Sequence, residues 1–402
     1  MPVLLRLVVS ALAAASLFTA TPAAAQWPLD VRLTRALAVP HVPLARSGAA
    51  VLDLASGKIL FVHNADSPLA PASNEKLAVT FAALSALGAA FRIETDVLGE
   101  GALDGATWRG DIILKGYGDP TLSSAGLRSL AAQVRAAGIT RVTGAIVGDE
   151  SWFDARRTAS GWKPSFFIDE SPPLSALVVD RARYGRTTSR QPALAAALLF
   201  RAALRQAGVA VAGRAELGVA GDTAFPLALL DSPSLGVIVR WMDLQSDNFT
   251  AEMLLKELGA VQTNAGTSAA GATVVRRLLG AAGVPLTGVR IADGSGLSLD
   301  DRLTANALIA LLQVMWADPT LRPSVVSALP VAGISGTLES RMRRSPARGA
   351  VRAKTGTTAV ASALSGFVRE RYAFAILQNG NPVSSWWARK AQDRFATVLA
   401  SS

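Results

Sequence analysis

A serine followed three residues later by a lysine occurs twice in the chain, as Ser73–Lys76 and as Ser160–Lys163. Ser73 opens a stretch rich in alanine and leucine that ends at Gly88, which predicts a helix carrying the serine and the lysine on one side of its first turn. There a lysine amine can accept the serine proton and turn the hydroxyl into a nucleophile. A lone pair of this kind also fits a helix-capping serine with a surface lysine.

The second pair lacks the helical setting of the first. Gly161 follows Ser160 and Pro164 follows Lys163, and neither glycine nor proline suits a helix interior. Nothing in the sequence therefore holds Lys163 on the same side as Ser160. Of the two pairs, the first is the candidate for chemistry.

The composition narrows the choice of base. The chain has two histidines, His41 and His63, and no cysteine. A Ser-His-Asp triad would have to use His63, and no Gly-x-Ser-x-Gly motif accompanies it. Two histidines without cysteine leave only carboxylates as further metal ligands, so no metal site is expected. Lysine is the remaining base, because a desolvated lysine beside other cations can be neutral near pH 7 whereas arginine cannot.

Two further short motifs strengthen the assignment. Ser246-Asp247-Asn248 stands between two predicted helices, where a loop can present a hydroxyl and an amide to a cleft. Lys354-Thr355-Gly356 follows an alternating run, as at the edge of a strand. Each alone also fits an ordinary N-cap or an exposed strand. Together with Ser-x-x-Lys, in this order, they form the set typical of penicillin-binding proteins and class A β-lactamases.

On these motifs the chain resembles the low-molecular-mass class C penicillin-binding proteins, the D-alanyl-D-alanine carboxypeptidase/endopeptidase family. The resemblance runs from about residue 42 to near the C-terminus. Four further stretches carry it: Pro71–Asn74, Gly118–Leu122, Ser171–Leu177 and Asp293–Ser298. The 173 positions from Ser73 to Ser246 exceed what a compact β-lactamase-like domain needs, which indicates an inserted domain.

The resemblance implies an acyl-enzyme mechanism on peptidoglycan stem peptides. Ser73 attacks the carbonyl of the penultimate D-alanine, Lys76 accepts the serine proton, and the terminal D-alanine leaves. Ser246 relays a proton towards the leaving amine, and Asn248 holds both Lys76 and the substrate amide. Water then hydrolyses the acyl-enzyme, without any metal or organic cofactor. β-Lactam antibiotics are expected to bind covalently to the same serine.

The resemblance also implies the residues that bind substrate. Lys354 keeps the pocket positive, lowers the pKa of Lys76 and attracts the substrate carboxylate, to which the hydroxyls of Thr355 and Thr357 donate. Gly356 lets the substrate lie close against the strand. The backbone N–H groups of Ser73 and Thr357 form the oxyanion hole.

Two alternative functions remain compatible with the same sequence. A β-lactamase or small-ester hydrolase can be built on this site, and rapid turnover of the acyl-enzyme would distinguish it. A catalytically inactive wall-binding homologue is the other alternative, although the complete motifs argue against it.

Short apolar runs and helical periodicity predict the elements that position the motifs. Predicted strands are 49–53 and 59–63, joined as a hairpin, then 111–114, 142–147, 351–358, 363–369 and 372–378. Predicted helices are 73–87, 127–137, 192–206, 235–244, 249–258, 269–282, 304–316 and 384–399. The predicted fold class is α/β (α+β): a penicillin-binding/β-lactamase-like transpeptidase fold with an antiparallel sheet, flanking helices, a helical subdomain and an inserted small α/β domain.

The predicted organisation begins with a signal peptide at residues 1–25, because Arg6, an apolar run and three alanines before Gln26 follow each other there. A membrane anchor is the alternative, although the apolar run is short for a span of about 20 residues. Residues 26–92 and 181–402 form the peptidase domain, and residues 93–180 form the inserted domain. The protein is expected to be secreted into the periplasm or cell envelope.

The formal net charge of +10 suits anionic surroundings such as wall polymers or a membrane surface. Nucleic acid is not an expected partner, because the charges are scattered and only Arg341–Arg348 is densely basic.

Overall fold

The computed structural model describes residues 27–402, so the predicted signal peptide lies outside the described residues. Within that range the strands are, in chain order, β1 (Ser47–Asp53), β2 (Ile59–His63), β3 (Glu94–Asp104), β4 (Thr107–Gly116), β5 (Arg141–Val142), β6 (Ile146–Asp149), β7 (Arg183–Tyr184), β8 (Thr187–Thr188), β9 (Ala210–Val211), β10 (Ala215–Leu217), β11 (Phe225–Asp231), β12 (Val351–Thr357), β13 (Ala361–Val368) and β14 (Tyr372–Asn379).

The α-helices of the same range are α1 (Leu29–Leu37), α2 (Lys76–Leu87), α3 (Ser124–Ala136), α4 (Pro192–Gln206), α5 (Leu235–Gln245), α6 (Asn248–Thr263), α7 (Ser268–Ala281), α8 (Ala305–Ala317), α9 (Arg322–Ala328) and α10 (Ser385–Ala400). No helix of residues 27–402 combines the length and the apolar character needed to cross a membrane.

The first sheet is antiparallel and has the strand order β12-β13-β14-β1-β2. It brings together strands from the N-terminal and C-terminal parts of the chain, because β1 of the β1–β2 hairpin pairs with β14. Helices cover both of its faces. Phe374 and Ile376 of β14 pack with α1 and α10, whereas Ala375 and Leu377, which alternate with them, pack with α2 and α8. Burial of both faces explains the almost uninterrupted apolar sequence of β13 and β14.

The helices α5 to α9 form a helical region beside α2 on one face of the first sheet. Their apolar periodicity predicted α5 to α8 from the sequence within a few residues, and α6 continues five residues beyond the predicted end at 258. The predicted last helix is confirmed as α10, and its Phe395 contacts Phe61 and Phe374 with ring centroids 5.6 Å and 6.4 Å apart. The predicted fold class is confirmed.

The second sheet has the order β10-β6-β4-β3-β11, with β5 and β9 added beside β4. Its core includes Leu130 of α3 and Phe200 of α4. The predicted limit of the inserted domain at residue 180 is too early, because α4 packs in this core and β9 to β11 pair in this sheet. The sheet and its helices therefore run from Glu94 to Asp231. The strand predicted at 142–147 is interrupted and forms β5 and β6.

Candidate active site

Ser73 lies in a short 3-10 turn, Ala72–Glu75, that leads directly into α2. Ala72 has a φ of +47°, a left-handed conformation that costs energy for any residue with a Cβ. Buried Asn74 ties the turn to β12, since its Nδ2 donates to the carbonyl of Lys354 at 3.1 Å. The turn that carries Ser73 is thus held against β12 with an unfavourable backbone conformation at the preceding residue, Ala72.

Two glycines make room for this turn. A Cβ on Gly296, whose φ is +81°, would lie 1.9 Å from the carbonyl oxygen of Ala72. A Cβ on Gly356 would lie 2.9 Å from the carbonyl oxygen of Pro71 and 3.0 Å from the nitrogen of Ser73. The missing side chain of Gly356 therefore faces the turn that carries Ser73, and the room for substrate that the resemblance implies at this position stays a prediction.

Lys76 is completely buried at the start of α2. Its Nζ lies 3.0 Å from Oγ of Ser73 and donates to Oδ1 of Asn248 at 2.9 Å and to the carbonyl of Ser295 at 2.6 Å. The predicted spacing of serine and lysine on one turn therefore brings the amine into contact with the hydroxyl. All three hydrogen-bonding positions of the amine are used, as burial of an ammonium requires.

The Ser246-Asp247-Asn248 motif is the junction between α5 and α6. Ser246 ends α5 in the left-handed region with a φ of 58°, and Asp247 caps α6 by accepting from the backbone N–H of Thr250 at 2.8 Å. Arg181 holds the same carboxylate at 2.8 Å. This reversal presents the Ser246 hydroxyl and the Asn248 amide to the side where Lys76 lies.

Lys354 on β12 is also completely buried, and its Nζ donates to Oγ of Ser246 at 2.8 Å and to the carbonyl of Thr355 at 2.9 Å. The structure therefore brings all three sequence motifs into one site. Ser73 contacts Lys76, Lys76 contacts Asn248, and Ser246 contacts Lys354. The second Ser-x-x-Lys pair stays apart from this site: Ser160 is exposed, and Lys163 precedes a 3-10 turn with its Nζ 5.9 Å from the ring centre of Phe166.

A cleft of about 270 Å³ opens over these groups. Its lining includes Ser73, Ser246, Thr355, Thr357, Thr337, Ser340, Arg341 and Arg389. The sequence did not single out Thr337, Ser340 or Arg389 as site residues. Oγ1 of Thr355 donates to Oγ1 of Thr337 at 2.7 Å, and Nη2 of Arg389 lies 3.5 Å from Oγ1 of Thr357. Neither contact has a signal in the sequence, because each joins elements far apart in the chain.

Burial lowers the pKa of both site lysines. It brings the pKa of Lys76 to about 8, against the opposing effect of Asp293, Glu252, Asp247 and Asp243. Burial, followed by the charge of Lys76, lowers the pKa of Lys354 to about 7, and Asp243 opposes this shift. Of the two causes that the sequence analysis named for Lys76, desolvation and a neighbouring cation, desolvation is the main one, and the charge interaction between the two lysines lowers the pKa of Lys354.

Buried carboxyl groups lie around the lysines, and sequence reasoning missed them. Asp243 of α5 accepts from Oγ1 of Thr80 at 2.7 Å, and burial raises its pKa to about 6. Glu252 of α6 accepts from the backbone N–H groups of Gly294 and Ser295 at 3.0 Å and 2.8 Å. Glu252 thereby fixes the segment whose carbonyl accepts from Lys76.

Glu75, Asp293 and Asp301 complete this cluster with Glu252. Burial, then the charge of Asp293, raises the pKa of Glu252 to about 8, and the same two causes hold the pKa of Asp301 well above its usual range. Glu75 has no hydrogen-bond partner for either carboxyl oxygen among residues 27–402, and burial followed by the charges of Asp293 and Glu252 holds its pKa well above its usual range. Three of the four carboxyl groups, those of Glu75, Glu252 and Asp301, thus have pKa values above their usual range.

Comparison with known proteins connects the site to one family. The sequence profile of the D-Ala-D-Ala carboxypeptidase 3 (S13) family matches residues 29–193 and 185–402. A D-alanyl-D-alanine carboxypeptidase of Actinomadura sp. (strain R39) is 32% identical over 90% of this chain and 82% of that protein. A carboxypeptidase of Mycobacterium tuberculosis is 34% identical over 94% of this chain and 85% of that protein.

The fold has close counterparts among solved structures. Penicillin binding protein 4 from Haemophilus influenzae superposes with a TM-score of 0.81 over 92% of this chain and 98% of that chain, at 22% sequence identity. The same Haemophilus protein has been solved in complex with a β-lactam, and that structure superposes with a TM-score of 0.76.

The buried acid Glu75 generates a prediction about stability. Because its folded-state pKa is raised, the unfolded chain loses this proton first as pH increases, and the free energy of unfolding falls by up to about 1.4 kcal/mol per pH unit above about pH 5. Glu75→Gln removes this contribution and keeps the shape. We expect a flatter decline between pH 5 and 8 in urea unfolding, with the fold preserved.

Glu94→Gln, at an exposed glutamate, is the matched control and is expected to leave the slope of the unsubstituted protein unchanged. Equal slopes for Glu75→Gln and the unsubstituted protein would show that Glu75 is ionised in the folded state.

Proposed function

The chain belongs to the D-Ala-D-Ala carboxypeptidase 3 (S13) family, and from this premise we propose that it is a serine-type D-alanyl-D-alanine carboxypeptidase of peptidoglycan. The observation that carries the proposal is the contact of Nζ of Lys76 with both Oγ of Ser73 and Oδ1 of Asn248. Cleavage of cross-links between stem peptides, an endopeptidase reaction, is the finer activity proposed for the same cleft.

The first half of the proposed reaction forms an acyl-enzyme. Oγ of Ser73 attacks the carbonyl carbon of the penultimate D-alanine while its proton passes to Nζ of Lys76, 3.0 Å away. The backbone N–H groups of Ser73 and Thr357 stabilise the negative oxygen. When the C–N bond breaks, the proton held by Lys76 passes through the Ser246 hydroxyl, which Lys354 contacts at 2.8 Å, to the leaving amine, so Lys76 is neutral again.

The second half of the reaction restores the serine. A water molecule attacks the ester carbonyl and gives its proton to Nζ of Lys76, and the ester C–O bond breaks. Ser73 regains a proton, and the shortened stem peptide leaves as a carboxylate. Asn248 keeps Lys76 in place throughout, because its Oδ1 accepts from the amine.

Substrate binding in this proposal uses the strand β12. The hydroxyls of Thr355 and Thr357 face the cleft and bind the terminal carboxylate, supported by the positive charges of Lys354 and Arg389. Gly356 acts indirectly, since its missing side chain leaves room for the nucleophile turn. β-Lactams, which carry a carboxylate beside a strained amide, are proposed to acylate Ser73 in the same orientation.

The proposed location is the periplasm or the cell envelope, after removal of residues 1–25. The composition of those residues supports it. The basic charge of the chain supports contact with anionic wall or membrane surfaces.

The identity of the nucleophile is tested by Ser73→Ala. We expect it to abolish release of D-alanine from a short acyl-D-Ala-D-Ala peptide, by about 10⁴-fold or more, and to abolish the penicilloyl adduct in intact-protein mass spectrometry. Ser160→Ala, which alters the other Ser-x-x-Lys pair, is the matched control and should keep both. Peptidase activity retained in Ser73→Ala would refute this mechanism. Rapid loss of the penicilloyl adduct from the unsubstituted protein would favour a β-lactamase.

The pKa values of the lysines predict the pH dependence. The acylation rate at saturating penicillin should rise as pH increases through about 8, because Lys76 must be unprotonated to accept the serine proton. Penicillin affinity should fall above about pH 7, because Lys354 then loses its charge. Stopped-flow acylation between pH 6 and 9 separates the effect on the acylation rate from the effect on affinity. An acylation rate that falls over this range argues against Lys76 as base.

Lys76→Arg should lose about 10³-fold in acylation rate, since arginine stays protonated.

The packing of Gly356 predicts a third effect. Gly356→Ala forces the Ser73 turn to move by a few tenths of an ångström, so acylation should slow by about 10- to 100-fold. Gly236→Ala is the control, because a Cβ at this helical position meets its nearest neighbour only at 3.5 Å. Penicillin labelling rates and thermal unfolding of both variants give the result, and an unchanged labelling rate in Gly356→Ala would show that the turn is not held by this contact.

A further inference from the structure

A large groove lies beside the active-site cleft, between α1 and α10. Its volume is about 1010 Å³, against about 270 Å³ for the cleft. Arg341 and Arg389 line both spaces, so the groove continues from the place where a substrate would be held. Apart from Arg389, no residue that lines this groove has a role in the proposed reaction.

The lining of the groove is strongly basic. It contains six cationic side chains and one carboxylate, that of Asp393. Arg341 neutralises Asp393 in an ion pair of 2.7 Å and is only 12% exposed. The other five cations are Arg32, Arg35, Arg389, Lys390 and Arg394, and within residues 27–402 none of them forms an ion pair. The groove therefore presents positive charge without an internal counter-charge.

An aromatic side chain accompanies these cations. Trp386 lines the groove with 62% of its surface exposed, and Nζ of Lys390 lies 4.6 Å from its ring centre. Arg35 on the opposite side packs over Trp27 at 4.1 Å. Cations held against exposed rings offer both charge and a flat apolar surface to a ligand. Such a lining fits an extended, acidic and partly apolar chain.

We propose that this groove binds a second, carboxylate-bearing stem peptide of the same peptidoglycan molecule whose D-alanyl end occupies the cleft. The inference rests on the proposed function. Charge complementarity favours an acidic peptide, and continuity through Arg389 allows one polymer to occupy both spaces. A membrane surface is the weaker occupant, because a bilayer covering Arg389 would also cover the mouth of the cleft. The groove would thus favour polymeric over short substrates.

The test reverses two groove charges that do not line the cleft. Arg35→Glu/Arg394→Glu changes two exposed side chains, one on α1 and one on α10. The matched control, Arg128→Glu/Arg135→Glu, makes the same change in net charge on two exposed residues of α3. Binding is measured by sedimentation with purified insoluble peptidoglycan, with each pair added to Ser73→Ala and compared with Ser73→Ala alone. Release of D-alanine is measured with each pair in the active protein and compared with the unsubstituted protein.

We expect the groove variant to bind peptidoglycan about tenfold more weakly at low salt, with the difference disappearing near 1 M salt, where charges are screened within about 3 Å. Its kcat/KM on polymeric peptidoglycan should fall by a similar factor, while kcat/KM on a short neutral acyl-D-Ala-D-Ala peptide stays unchanged. The control variant should match the unsubstituted protein in all three measurements.

Three results would overturn the inference. Equal losses in the groove and control variants would show a general charge effect, and unchanged polymer binding in the groove variant would show that the groove is not used. Lost binding to vesicles of anionic phospholipid with polymer binding intact would identify a membrane surface. Failure of the proposed function is distinguishable, because it appears as absent hydrolysis of the short peptide by the unsubstituted protein, whereas sedimentation needs no catalysis.

Discussion

The complete burial of the Lys76 amine is the constraint on which the site depends. An ammonium removed from water is costly unless every N–H finds an acceptor. Here the acceptors are Oγ of Ser73, Oδ1 of Asn248 and the carbonyl of Ser295, which belong to three distant segments of the chain. The start of α2, the junction of α5 and α6 and the 293–298 segment must therefore converge. The packing of these three segments and the assembly of the site therefore depend on the same contacts.

The buried carboxyl groups offset part of the cost of burying the Lys76 amine, and they do so without fixing the amine as either charged or neutral. Desolvation alone favours a neutral amine, and Asp293, Glu252, Asp247 and Asp243 favour the charged form. The balance leaves the pKa of Lys76 at about 8, close to where a general base works best. Glu252 contributes twice, since its carboxyl group also holds the backbone of Ser295. These acids act by holding neighbouring segments in place and through their electrostatic field, and none of them lines the cleft.

The sequence predicted what periodicity and short motifs can encode. Long helices such as α4 and the strands β12 to β14 have clear apolar patterns, and the three motifs identified the groups now seen in contact. The extent of the second sheet was missed, because β9 and β10 are two and three residues long and the seven-residue β11 fully buries only Ala228, so none of them carries a readable period. The contact of Gly356 with the Ser73 turn and the buried acids were missed as well. Both depend on contacts between segments that are distant in the sequence. The presence of an aspartate or a glycine does not by itself reveal which segment it will contact in the fold.

The helix α10 links the stability of the fold to recognition at the site. Its inner side carries Phe395, which packs on the first sheet against Phe61 and Phe374. Its outer side carries Arg389, which reaches towards Thr357 at the cleft, and continues as the basic wall of the groove. Because one rigid helix holds both surfaces, the spacing between cleft and groove is set by core packing. For a ligand that spans the two, the helix backbone is already in place, and the cost of ordering the protein falls on exposed side chains such as Arg389 and Arg394.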